Sequence, residues 1–542
     1  MTTEASTLTR NGKGKRFQVL AGAILVQLIL GTIYGYSIFW EPLTANIFPT
    51  VITEAQKATE IAAGTLDGGA IVVLDDAAVK VEIAKQQGIL KYAFSICILS
   101  FAFVMVIAGR VQDLQGPRVP AIIGGLLIGA GFMCAGLMTN AIIFYLAHAL
   151  FAGVVTILIL IVFHIFLGHL GDESVIVRYA PMGIMTTCIV AGILMGNQYV
   201  GKIAEMDRLL LLWGTIGFMA GAGTGFAYVC PIAALVKWFP EHKGLVSGIA
   251  VAGFGLGAYL FSQKWGALGY IGKQGIFPFF ILHGIVCIVF VTAGALLLSN
   301  PPSTTPVTSK TILPDSTWQE TLKNPAFYLL WLMFFSGAMA GLMVIGIIKV
   351  FAGEQLVVAA REAGRILSVP ETSALMLKGA AAVGLLAIFN AVGRIVWGFI
   401  SDRIGRTATF VAIFLLQAGI MFFLAGMTTE ASLSIGAALV GFNFGGNFAL
   451  FPSATADLFG AKNLGANYGW VFTSYGVAGV VGIAAGNFAK VMTNSYAAAF
   501  NLAAFLCLLS AGLAIILQVM VLPQKQRTME LNIGDLQRSE AL

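Results

Sequence analysis

Long apolar runs separated by short polar segments dominate this chain. They fall near 17–40, 89–108, 119–138, 141–168, 180–200, 209–236, 244–263, 276–299, 326–350, 379–400, 407–426, 431–456, 465–488 and 496–522. About 20 consecutive apolar residues are enough for a helix to cross the hydrocarbon core of a bilayer. The pattern therefore predicts an all-α polytopic membrane protein with about 14 transmembrane helices. Its two halves are 1–299 and 326–524, joined by a Pro/Ser/Thr-rich cytoplasmic linker at 300–325 and followed by a cytoplasmic tail at 525–542. The polar segment 46–88 is net acidic and reads as an extracytoplasmic loop.

Composition sharpens this picture. Apolar residues make up 58% of the chain and charged residues 10%, against roughly 25% charged in a soluble protein. The 64 glycines suit closely packed membrane helices. The net charge of +6 is scattered over loops, with no basic stripe that would bind nucleic acid. Cys97, Cys134, Cys188, Cys230, Cys287 and Cys507 all sit in apolar runs without a CxxC pair, and read as small buried hydrophobes. Arg10, Lys13, Lys15 and Arg16 precede the first run, which is too long for a signal-peptide core and reads as a retained span. With a cytoplasmic N-terminus, Lys and Arg are in excess on the inner side, so both termini face the cytoplasm and the expected location is the cell (inner) membrane.

The halves are related by repetition. Gly109-Arg-Val-Gln-Asp113-Leu-Gln-Gly-Pro-Arg118 is echoed by Gly398-Phe-Ile-Ser-Asp402-Arg-Ile-Gly-Arg406, with Asp113 and Asp402 289 positions apart. Further on, Gly225, Pro231, Gly244 and Gly255 match Gly446, Pro452, Gly465 and Gly476 at a constant offset of 221. The change of offset leaves about 68 extra residues in the first half. The expected architecture is thus a 6+6 duplication with a two-helix hairpin inserted at 139–208.

Candidate chemistry is sparse. Every Asp and Glu falls in a loop, a tail or a span end, which argues against a coupling ion held by a buried carboxylate. Arg394 stands out, about eight residues before Asp402 or roughly 12 Å along a helix. A charge at that depth points to function, and a guanidinium fork matches a carboxylate. Asn390, one turn earlier, shares its face. Tyr34, Tyr36 and Tyr228 lie too deep for an interface belt and suit a polar cavity. Asn443 and Asn447 share one face of the matching second-half helix, and either line the same cavity or bond between helices. Lys349 and Lys378 sit at span ends and snorkel. Gly253–Gly257 and Gly482–Gly486 carry GxxxG, a close-packing signal in apolar spans. His148, His164 and His283 read as packing residues.

The two Asp loops resemble the signature loop of the major facilitator superfamily. Within it the chain resembles the oxalate/formate antiporter family, related to monocarboxylate and lactate transporters. The resemblance rests on Gly31-Thr-Ile-Tyr-Gly-Tyr-Ser-Ile-Phe39, Lys237-Trp-Phe-Pro-Glu-His-Lys-Gly244, Gly248-Ile-Ala-Val-Ala-Gly-Phe-Gly-Leu-Gly257 and Phe389-Asn-Ala-Val-Gly-Arg394. It implies that Arg394 binds the substrate carboxylate, with Asn390 one turn away and Tyr228 as an aromatic pocket residue. Tyr475 stands where oxalate exchangers carry a second intramembrane lysine, so a monoanion is expected rather than a dianion. The expectation is a non-enzymatic secondary transporter of lactate, pyruvate or formate type, working by exchange or proton symport. Arg394, Asn390, Tyr228, Tyr34, Asn447 and Tyr475 would form the substrate site, and Asp113, Arg118, Asp402 and Arg406 the gating loops. The alternatives are an oxalate or other organic-anion antiporter, and a non-transporting sensor or scaffold on a carrier fold. Expected partners are the carboxylate, a proton or counter-anion, and membrane lipid. No cofactor, metal or nucleic acid is expected, and the chain reads as a monomer.

Overall fold

A computed structural model describes residues 2–63, 71–138, 205–261, 263, 265–302, 315–367, 369–493 and 495–540. Its helices are α1 (Thr2–Leu30), α2 (Trp40–Ile47), α3 (Glu54–Ala63), α4 (Asp76–Gln115), α5 (Arg118–Gly136), α6 (Glu205–Leu212), α7 (Ala220–Trp238), α8 (Lys243–Phe261), α9 (Ala267–Gln274) and α10 (Ile276–Leu297). After the linker come α11 (Trp318–Lys323), α12 (Pro325–Glu362), α13 (Val369–Lys378), α14 (Ala380–Ile404), α15 (Arg406–Leu424), α16 (Glu430–Phe459), α17 (Leu464–Thr493) and α18 (Ala497–Glu540). Twelve helical stretches among the described residues are long and apolar enough to cross a membrane. They coincide with twelve of the fourteen expected spans. The other two, with most of the expected hairpin 139–208, lie outside the described residues, as does 303–314 of the linker. The polar segment 46–88 carries more order than a loop: β1 (Thr50–Ile52) and β2 (Ile71–Val73) pair in parallel, and α4 begins inside it.

Among the described residues, two stretches depart from α-helix within spans. Gly31–Phe39 continues α1 as a 3₁₀ helix, and Trp213–Met219 leads into α7 as a π-helix. Three residues per turn sort the 3₁₀ side chains onto separate edges. Gly31 and Tyr34 meet Phe254 of α8, whereas Thr32 and Gly35 meet His283 and Phe261. Pro231 and Pro452 interrupt α7 and α16 at matched positions. A proline removes one ladder hydrogen bond, and beside the first break Gln27 of α1 donates to the Tyr228 carbonyl at 2.9 Å.

The halves meet along two seams, α4 against α17 and α8 against α14. Glycine sets the closeness of both. A Cβ on Gly109 would lie 2.0 Å from the Gly465 carbonyl oxygen, and one on Gly244 would lie 2.4 Å from that of Gly398. These four glycines are the repeat partners found in the sequence, exchanged crosswise: the loop of each half packs on the helix start of the other. Gly116 and Gly405 end their helices at φ of 85° and 89°, a left-handed conformation that glycine adopts without a Cβ penalty.

Candidate functional site

At one end of the bundle, each Asp loop caps a helix of the opposite half. Asp113 accepts from the Gly465 and Ala466 amides of α17 at 3.1 and 2.8 Å. Asp402 accepts from the Gly244 and Leu245 amides of α8 at 2.9 and 2.8 Å. Free amides at a helix start favour negative charge, which is what each carboxylate supplies. Around Asp402 the charges form a chain: Arg406 pairs with Asp402 at 2.9 Å and with Asp457 at 2.8 Å, and Asp457 pairs with Lys243 at 2.8 Å. Around Asp113 the one cation within ion-pair distance among the described residues is Lys237, at 3.9 Å. Arg118 is not brought to Asp113: its Nε donates to the Leu298 carbonyl of its own half at 2.6 Å. The terminal helices reach the same end, where Arg16 pairs with Glu241 at 2.7 Å and Thr407 donates to Gln518 of α18.

Midway along α14, Arg394 is wholly buried. Helical spacing stacks Asn390 beneath it, and Nε donates to Asn390 Oδ1 at 3.0 Å. Nη1 reaches across the seam to the Val251 carbonyl of α8 at 2.8 Å. The approach is possible because Gly248 lets α8 lie against the Arg394 backbone. The guanidinium carbon stands 4.4 Å from the Phe448 ring centroid and 5.6 Å from that of Phe254, within cation–π range. Among the described residues no carboxylate pairs with Arg394, and Nη2 is buried without a partner.

Tyrosines close the ring around this cation. Tyr34, Tyr228, Tyr468 and Tyr475 all lie in its electrostatic field. Tyr228 projects its hydroxyl beside the guanidinium and the Tyr468 hydroxyl, yet neither phenol makes a hydrogen bond of ordinary geometry. The Tyr34 and Tyr475 hydroxyls bond to each other and so join α17 to the 3₁₀ stretch. Aromatic rings pack between, Phe101 and Phe472 standing 5.0 and 5.4 Å from Tyr228.

Six site residues were expected from the sequence. Arg394, Asn390, Tyr228, Tyr34 and Tyr475 come together. Asn447 does not: it lies against Gly337 of α12, and the next residue, Phe448, is the one that faces Arg394. Tyr468 was missed, although a signal existed. It precedes Tyr475 by seven residues, two helical turns, and so shares its face. Val251 was beyond reach because it contributes a backbone oxygen. Lys349 is exposed, and Lys378 pairs with Glu430 at 3.2 Å. Gly253 and Gly257 both pack on α1, against Ile24 and Leu28. His283 is buried in the first half, 3.1 Å from the Thr32 hydroxyl.

A family model described as the Major Facilitator Superfamily matches residues 146–483 and 367–534. The chain belongs to that superfamily. Among curated proteins, this major-facilitator chain is 30% identical to the uncharacterized MFS-type transporter YhjX of Escherichia coli K12, over 55% of this chain and 70% of that protein. It is 27% identical to the oxalate:formate antiporter of Oxalobacter formigenes, over 62% and 75%. It is 29% identical to apicoplast pyruvate carrier 1 of Toxoplasma gondii, over 54% and 62%. Among solved structures, the Escherichia coli fucose:proton symporter FucP superposes with a TM-score of 0.52 at 11% identity, covering 92% of this chain and 98% of that one. The fold is therefore the all-α, membrane-embedded fold of a major-facilitator transporter.

Proposed function

We propose that this chain is a secondary transporter of small monocarboxylate anions of the lactate, pyruvate or formate type. One observation carries the reading. The buried Arg394 guanidinium keeps Nη2 free of any ordinary hydrogen bond, and beside it stand the Tyr228 and Tyr468 hydroxyls, which likewise make none of ordinary geometry. Buried donors need acceptors, and a carboxylate supplies two oxygens and the opposite charge. Asn390 is placed to steady the guanidinium from below. Bulky rings crowd the cation, which favours a small substrate, and one cation balances one negative charge. The oxalate:formate and pyruvate relatives support the same substrate class.

Transport follows by alternating access. Arg394 bridges the seam through the Val251 carbonyl, so a substrate carboxylate competes with a bond that holds the halves together. The loop pairs Asp113–α17 and Asp402–α8 hold one end closed and must part for that end to open, with Arg406 securing the second. Crossing empty would carry an uncompensated buried charge, which favours exchange with a second anion or symport with a proton. The excess of Lys and Arg on the side of both termini supports a cytoplasmic location for that end, in the inner membrane.

The test is uptake of labelled lactate, formate and oxalate into proteoliposomes, with and without internal counter-substrate. Saturable lactate or formate uptake is expected. Oxalate exchange as strong as either would sink the one-cation argument, and no carboxylate uptake at all would remove the proposal.

A further inference from the structure

The second half holds another polar centre, behind α16 as seen from Arg394. Six buried side-chain atoms there have no protein partner: both amide atoms of Gln417, both of Asn443, Asn447 Oδ1 and Ser510 Oγ. All four residues are at most 2% exposed. Contacts between the helices bring them to one depth. Gly446 of α16 packs on Ile413 of α15, and Gly436 packs on Leu424. Between those two contacts, Gln417 comes opposite Asn443, both on the facing sides. On α18, Phe505 meets Phe422 at 5.4 Å and Gln518 meets Thr407. Gln417 lies five residues from Phe422, as Ser510 lies five from Phe505, so Ser510 reaches the same level. Asn447 is one turn along α16 from Asn443.

Leaving such groups unsatisfied in a membrane interior is costly, so the chemistry of the set identifies what satisfies it. It offers two NH2 donors, three carbonyl acceptors and one hydroxyl. A cation would leave the NH2 groups unmet, and an anion the carbonyls. Water donates and accepts, and buried water is found where several otherwise unsatisfied polar groups converge. We propose that Gln417, Asn443, Asn447 and Ser510 bind a cluster of ordered water inside the second half. The cluster leaves α16 with solvent on its back and Phe448 of the carboxylate site on its front. Exchangeable water bonds let α16 shift against α15 without breaking a fixed side-chain pair.

Synchrotron hydroxyl-radical footprinting of the full chain in nanodiscs tests this directly, because radicals form from bound water itself. Met421, one turn from Gln417, and Met105 in the first half are both fully buried. Met421 is expected to be oxidised several-fold faster than Met105, and equal, slow oxidation would overturn the proposal whether or not any variant folds. In the double variant Gln417→Leu with Asn443→Leu, oxidation of Met421 should fall to the Met105 level. A second arm rests on the carboxylate reading: the same variant should slow maximal exchange while leaving KM in place. Lost labelling with unchanged turnover would remove the role in α16 movement and leave the water site.

Discussion

The two seams between the halves are built alike in backbone and unlike in charge. Each has an Asp capping two amides across the interface, and each has a glycine pair in near contact. On the α8–α14 seam the carboxylate is embedded in a four-membered charge chain running Asp402, Arg406, Asp457, Lys243. On the α4–α17 seam the repeat places Pro117 where Arg406 stands and Val236 where Asp457 stands, and Arg118 turns to its own half. Duplication preserved the part that depends on main-chain geometry. The part that depends on side chains was elaborated once, on the seam that also carries Arg394. The cores differ in the same sense. Asn443 and Asn447 of the second half correspond to Ala222 and Phe226 in the first, where His283 sits among Phe132, Phe261 and Phe279 instead.

The comparison can be broken most decisively at Arg394. Arg394→Ala should cost about 2–5 kcal/mol of carboxylate binding, read as near-complete loss of uptake, while an equally buried first-half change such as His283→Phe leaves uptake measurable. Parental transport by the Ala variant would discard the site. Next in size are the carboxylates. Asp402→Asn loses charged hydrogen bonds and an ion pair together, Asp113→Asn mainly its hydrogen bonds. Each lost buried charged bond is worth about 1.5–3 kcal/mol. Hydrogen exchange should therefore quicken more at Gly244 and Leu245 in the first variant than at Gly465 and Ala466 in the second. Equal changes would mean that the charge chain adds nothing.

Gly244→Ala and Gly465→Ala should behave as a matched pair, because each Cβ meets main chain across its seam. Overpacking of this kind costs roughly 1–3 kcal/mol. Both variants should reduce disulfide trapping of cysteine pairs placed across the seams, and to a similar extent. The smallest effect is expected between the halves, at α11. Thr317 and Glu320 form a capping box there, and hydrogen bonds from Thr317 hold the Glu320 carboxyl below its usual range. A depressed folded pKa gives stability present at neutral pH and lost as pH falls through that lowered value. Trp318, which stacks on Trp470 at 6.0 Å, should report loosening only at acidic pH, and Glu320→Gln should remove the pH dependence.

Much of this was legible in the sequence, for identifiable reasons. Span positions follow from apolar run length, which the bilayer dictates. The duplication showed because glycine and proline, which mark close approach and helix breaks, keep their spacing. Arg394 and Asn390 showed because i, i+4 places them together in any helix. What stayed hidden depends on which way a face turns. Asn447 and Phe448 are adjacent in sequence, and only the packing of α16 on α14 through Gly441 and Gly445 decides that Phe448 faces the guanidinium. The Val251 carbonyl could not be foreseen from any side chain. The seven-residue spacing of Tyr468 and Tyr475 carries the same kind of signal, because two helical turns return to one face.

The 3₁₀ stretch Gly31–Phe39 has a mechanical consequence. A 3₁₀ helix rises about 2.0 Å per residue and an α-helix about 1.5 Å. Rewinding these nine residues into α form would draw the two ends of the first span together by roughly 4 Å. It would also rotate Tyr34 off the edge it shares with Gly31. The same nine residues thus store a stroke: a change of pitch in one segment would both shorten a strut of the first half and release the Tyr34–Tyr475 clasp on the second.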